Sequence, residues 1–122
     1  MKPSESAIQG HCVAWFRWQY PAYRALLFAI PNGAHLAGDA RQRGMQYMRL
    51  VREGFVPGVA DLFLAVPGEK PGLFIEMKTD KGRQRPEQVA FQKSVTESGY
   101  GYEVCRSLDQ FQKIIKKHLC NK

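Results

Sequence analysis

The sequence predicts an α/β fold: one central mixed sheet of about four strands with helices packed on it. Three observations predict it. Short apolar runs of strand length alternate with longer amphipathic stretches, in the order α, β, α, β, β, α, β, α. Gly, Pro and Asn punctuate these segments, and no linker, repeat or low-complexity tract divides the chain. At 122 residues the chain is long enough for one compact core and too short for two ordinary ones, so residues 1–122 are expected to form a single domain.

Taking the elements in order, Ser4 can cap a helix over roughly residues 5–19, in which Glu5, Gln9, Cys12 and Phe16 share a face and Pro21 marks the end. Ala25 to Ile30 is a short apolar run closed by Pro31-Asn32-Gly33, which predicts a buried strand and a turn. From about Asp39 to Glu53, Met45, Met48 and Val51 recur at helical spacing, with Gly54 as C-cap and a basic opposite face of Arg41, Arg43, Arg49 and Arg52. Val59 to Val66 and Leu73 to Lys78 read as strands joined by the turn Pro67-Gly68-Glu69-Lys70-Pro71-Gly72, hence a hairpin. Pro86 suits the first position of a helix reaching Ser98 and stopped by Gly99. Tyr102 to Cys105 is the fourth strand, and Ser107 with Gln110 forms a capping box for a last helix through Phe111, Ile114, Ile115 and Leu119.

Composition narrows the function. With 44% hydrophobic and 24% charged residues the chain is globular rather than disordered or collagenous. Lys plus Arg number 18 against 11 Asp plus Glu, and the resulting +7 favours a polyanionic partner, although a merely soluble basic protein has the same sign. No apolar run approaches the length of a membrane span, and Met1-Lys2-Pro3-Ser4-Glu5 lacks the order of a signal peptide, so a cytoplasmic protein is expected. Cys12, Cys105 and Cys120 are odd in number and widely spaced, and His11, His35 and His118 show no ligand spacing. Both sets read as packing or surface residues rather than a metal site or a disulfide framework.

The chemistry concentrates in the predicted hairpin. In an alternating strand Val59, Asp61 and Phe63 share a face, as do Glu76 and Lys78. If the hairpin turns near Gly68-Glu69, Asp61 falls opposite or close to Glu76. Two carboxylates that close repel and resist burial, and a divalent cation with hard oxygen ligands resolves both problems. Mg²⁺ is such an ion, and Lys78 would then point at a metal-bound water or at a phosphate oxygen. The same pattern also fits a solvent-facing Glu76–Lys78 pair with Asp61 an ordinary exposed carboxylate; the position of Asp61 inside V-A-D-L-F-L strains that alternative.

Gly58-Val59-Ala60-Asp61 followed by Ile75-Glu76-Met77-Lys78 resembles the divided D…(D/E)xK signature of the PD-(D/E)xK nuclease superfamily. More narrowly, Pro31-Asn32-Gly33, then Gly54, Pro57-Gly58-Val59-Ala60-Asp61-Leu62, Glu76-Met77-Lys78 and Gln88 resemble, in that order, the VRR-NUC family. The family usually carries proline before the aspartate, where this chain has Ala60; proline there shapes backbone and supplies no catalytic group.

The resemblance implies a restriction-endonuclease-like fold and a metal-dependent DNA endonuclease using Mg²⁺, with Mn²⁺ able to substitute. Asp61, Glu76 and the backbone carbonyl of Met77 correspond to the metal ligands, and Lys78 to the lysine that positions or deprotonates the attacking water. Gln88 matches a glutamine whose amide could orient Lys78, water or phosphate. Glu5 resembles an acid sometimes supplied by the first helix, although a plain N-terminal helix acid explains it equally well. Lys81, Arg83 and Arg85 follow the motif directly and are candidate DNA-backbone contacts, as are Arg41 and Arg43; a solvated loop is the alternative. Standalone members of the family imply a homodimer acting on branched DNA such as four-way (Holliday) junctions. A flap or nicking nuclease, an RNA nuclease and a non-catalytic DNA-binding module of the same fold are the other readings.

Overall fold

A computed structural model describes residues 2–31 and 36–120; Asn32 and Gly33 of the expected Pro31-Asn32-Gly33 turn, and His35, lie outside the described residues. Helix α1 (Glu5–Gln19) starts where Ser4 Oγ accepts the Ala7 N–H at 3.1 Å. Its inward side is Ile8, Cys12 and Phe16, all buried, while Gln9 is half-buried and Glu5 exposed. Pro21 then opens a 3₁₀ helix (Pro21–Leu26), which takes up Ala25 and Leu26 and shortens the expected strand to β1 (Leu27–Ala29). Proline presets φ for such a first turn, and the i→i+3 bond from Tyr23 N–H to the Tyr20 carbonyl closes it.

Helix α2 (Ala40–Arg52) is bounded as expected, with a capping box between Asp39 and Gln42 and a left-handed Gly54 closing it. Phe55 N–H reaches the Leu50 carbonyl and Gly54 N–H the Val51 carbonyl, the Schellman pattern. The face assignment requires correction. Met45 and Met48, expected on the packed side, are 61% and 69% exposed, and the helix fully buries no residue. Gln46 and Leu50 are the half-buried positions, and Tyr47 packs edge-on against Phe55. Arg41 and Met48, like Met45 and Arg52, are seven apart and share a side, so arginines and methionines mingle on one outward face.

Strand β2 (Leu62–Leu64) and β3 (Leu73–Met77) form the expected hairpin. Helix α3 (Pro86–Glu97) crosses over to β4 (Gly101–Cys105), and α4 (Leu108–His118) completes the chain. The sheet order is β1-β2-β3-β4, antiparallel except for the parallel pair β3–β4. At α4 the capping box is half formed: Ser107 Oγ accepts from Gln110 N–H, but the Gln110 side chain accepts from Arg106 N–H instead of Ser107.

The alternation of β2 and β3 divides the molecule into two layers. Leu62, Leu64, Leu73, Ile75 and Met77 point toward α1 and α4 and join Ile8, Cys12, Phe16, Phe111, Ile115 and Leu119 in one buried core. Each such large apolar side chain contributes about 1.5–3 kcal/mol by leaving water. On the opposite face a row of aromatics crosses the sheet: Phe28 stands opposite Phe63, Phe63 opposite Phe74, and Phe74 opposite Tyr102. Phe91 of α3 packs edge-on against Phe74. Glu76 and Lys78 share this aromatic face.

At the turn end of the hairpin, His118 Nε2 lies 2.6 Å from the Val66 carbonyl, and the His118 carbonyl accepts from Glu69 N–H at 2.8 Å. A side chain at Gly68 would strike that carbonyl, so glycine permits the close approach. His118 is thus a packing residue. At the other end Gly58, with φ of 89°, lies where a Cβ would come within 2.2 Å of the Glu87 carbonyl. This contact seats the loop before Asp61 directly on the first turn of α3.

Candidate active site

Strand β2 begins at Leu62 rather than Val59; just before it the Asp61 carbonyl accepts the Ile30 N–H at 2.9 Å, and the Asp61 side-chain Oδ2 accepts the Met77 N–H at 2.8 Å. Continuing the β2–β3 register by one pair brings Asp61 opposite Glu76. Glu76 is 2% exposed and Lys78 7%, which excludes the solvent-facing pair. The Lys78 ammonium lies 3.8 Å from Glu76 Oε2. Gln88, buried in the first turn of α3, donates from Nε2 to the same Oε2 at 3.1 Å. Among the described residues, Glu76 Oε1 is buried without a hydrogen-bond partner.

These surroundings disfavour a charged Glu76. Burial first, then the charge and a hydrogen bond of Asp61, push its carboxyl up to about 8; Lys78 pulls the other way, and Glu5 adds to the rise. Glu5 therefore lies within electrostatic reach of the pair, although its side chain is exposed at the start of α1. Among the described residues no group of three or more His, Cys, Asp or Glu gathers in metal-binding geometry.

Gln88 forms no hydrogen bond with Lys78 among the described residues. Its side-chain oxygen instead accepts the Arg85 N–H at 2.9 Å, so it braces Glu76 against the segment that leads into α3. Lys81, Arg83 and Arg85 on that segment are exposed, with Arg85 3.3 Å from Glu87. Arg41 and Arg43 lie on α2, apart from this segment, and Arg43 Nη1 donates to the Gly38 carbonyl.

Three neighbours were not foreseen from the sequence. Tyr102 lies in the wall beside the acids; burial and then the charge of Glu76 push its hydroxyl up to about 12. Gln84 Nε2 donates to that hydroxyl at 3.2 Å and to Gln92 at 3.0 Å. Arg106 Nη1 donates to the Thr79 carbonyl at 2.8 Å and the Gly82 carbonyl at 2.6 Å. Finding any of them requires knowing that β4 lies parallel beside β3, which no local pattern reveals. The cleft lined by Glu69, Lys70, Tyr100, Glu103 and Lys117 includes neither Asp61 nor Glu76 and lies toward the hairpin turn.

The geometry joins two carboxyls, a buried ammonium and a buried amide at one end of the sheet. In comparisons with known proteins, the VRR-NUC domain profile matches residues 4–109. No curated protein matches in sequence. A solved structure described as a VRR_NUC domain protein superposes with a TM-score of 0.81 at 18% identity, covering 98% of this chain and 91% of that one, and so shares the fold. The chain belongs to the VRR-NUC family, and its function is nuclease-type processing of DNA.

Proposed function

We propose that the protein is a Mg²⁺- or Mn²⁺-dependent endodeoxyribonuclease that acts as a homodimer on branched DNA such as four-way junctions. The observation that carries the cation is the buried Glu76, with one oxygen unpartnered among the described residues and its carboxyl pushed up by burial and then by Asp61. The residues present fit a hard ion: Asp61 and Glu76 offer carboxylate oxygens and the Met77 carbonyl a neutral one, with water completing the shell, while the exposed Glu5 adds only its charge from α1. Bound there, the cation would neutralise charge developing on the phosphate and ease ionisation of the attacking water.

The protein groups supply the rest. Lys78, held beside Glu76, positions the attacking water and offsets phosphate charge. Gln88 keeps the Glu76 carboxylate oriented. Lys81, Arg83, Arg85, Arg41 and Arg43 follow the DNA backbone. Support for the dimer is that Trp18, 79% exposed, remains uncovered, whereas Phe16 is buried and Trp15 packs against Tyr20 and Phe111.

The test is a cleavage assay on labelled four-way junctions, flaps, linear duplex and RNA with Mg²⁺, Mn²⁺ or EDTA, alongside light scattering. The expected result is paired, symmetric junction incision with cation and none in EDTA, by a particle of twice the 13.9 kDa chain mass. A mixed dimer with one Lys78→Ala subunit should nick once. Cutting in excess EDTA, or paired incisions from a strict monomer, would overturn the proposal; preference for flaps or RNA would replace the substrate.

DNA affinity should also fall steeply with salt. Neutralising Lys81, Arg83 and Arg85 together should lower the slope of log affinity against log salt by about one for each lost phosphate contact, without changing cation affinity. An unchanged slope in the triple variant would make this segment a solvated loop.

A further inference from the structure

We propose that Arg106 is a positioning residue for Lys78, clamping the turn that follows it. The proposal rests on the nuclease reading of the site. Lys78 is the last residue held by the sheet: its N–H bonds to the Cys105 carbonyl at 2.9 Å, and the chain then departs. The turn from Thr79 to Gly82 has one internal backbone–backbone bond, a long one from Gly82 N–H to the Thr79 carbonyl at 3.2 Å. Left alone, it would let a long, flexible lysine lose its setting. Arg106 directly follows Cys105, so the parallel pairing that fixes Lys78 also carries the guanidinium to the turn, where Nη1 takes both the Thr79 and Gly82 carbonyls.

The clamp closes a circuit. The segment begins at Lys78, is tied at Thr79 and Gly82 by Arg106, at Asp80 by Lys2 (2.9 Å) and at Gln84 by Tyr102, and ends at Gln88. Both ends meet Glu76 Oε2. Of these intermediate ties, the Lys2–Asp80 pair is exposed and weak, whereas the Arg106 bonds are partly buried and doubled. Arg106 therefore transmits the register of β4 to the ammonium without touching the reacting atoms.

The experiment compares wild type, Arg106→Gln, Arg106→Lys and the control Lys113→Gln, an exposed α4 residue paired with Asp109. Each is assayed on the nucleic acid the wild type cuts fastest, with Mg²⁺ or Mn²⁺. Misplacement by an ångström can cost about 10²-fold, so Arg106→Gln should lose about that factor in kcat with KM little changed. Arg106→Lys, whose ammonium can still donate to both carbonyls, should recover part of the loss. Amide exchange should accelerate at residues 79–83 and stay unchanged at Leu62–Leu64, and Lys113→Gln should behave as wild type. A rise in KM at constant kcat would make Arg106 a phosphate contact and overturn the proposal, as would wild-type exchange at residues 79–83. A wild type that cuts no nucleic acid with either cation would instead overturn the nuclease reading, and the exchange measurement alone would then decide whether the clamp exists.

Discussion

Glu76→Gln should reduce DNA cleavage by at least about 10³-fold while leaving the cation-free protein as stable as wild type or more so. The glutamine keeps an oxygen to accept from Gln88 Nε2 and, like the protonated acid of the cation-free fold, carries no charge beside Asp61, so the fold loses little. It cannot replace a carboxylate as a hard, anionic ligand. Asp61→Ala and Lys78→Ala should be comparably inactive. Asp61→Ala also frees the Met77 N–H that its carboxylate now holds, so its melting temperature should fall where that of Glu76→Gln does not. Single-turnover rates with melting curves recorded in EDTA separate the two effects. Wild-type rates in all three variants would remove these residues from the reaction.

The second large effect is on pH. In the cation-free fold Glu76 keeps its proton up to about 8, whereas in the unfolded chain it loses it near the ordinary 4.5. Between those values the folded state binds more protons than the unfolded, so this group makes stability fall as pH rises through that window. A cation must displace the proton, so its apparent affinity should rise about tenfold per pH unit below 8 and flatten above it. Between pH 6 and pH 8 the gain is about 10²-fold. Calorimetric Mn²⁺ titrations check this, and Glu76→Gln should abolish the slope. An affinity independent of pH over that range would mean that Glu76 is not a ligand.

Much of the site was legible because charge inside an apolar run is costly. Glu76 and Lys78 alternate with Ile75 and Met77, and that period of two already placed them together on one face. Asp61 stood out by interrupting its run, and the hairpin followed from the Pro-Gly turn. Element order and helix limits were readable for the same local reasons: Ser4, Asp39, Pro86, Gly54 and Gly99 act within one turn of themselves. What local pattern cannot supply is direction. Met45, Met48 and Val51 lie at helical spacing, yet the half-buried positions are Leu50 and Gln46, the latter bonded to the Ala37 backbone of the preceding loop. Periodicity identifies stripes and not what covers them. Arg106 and Tyr102 stayed hidden for a related reason, since their neighbours come through a parallel pairing separated by a whole helix.

That parallel pairing also orders events in time. The β2–β3 hairpin joins residues close in sequence and can bring Asp61 and Glu76 together early. The β3–β4 ladder must wait until α3 has crossed the sheet, and contacts that distant in sequence form slowly. Until β4 docks, Lys78 N–H has no Cys105 carbonyl and the turn after it has no Arg106. The two acids thus meet within a local hairpin, whereas the setting of Lys78 depends on the distant pairing that closes the sheet.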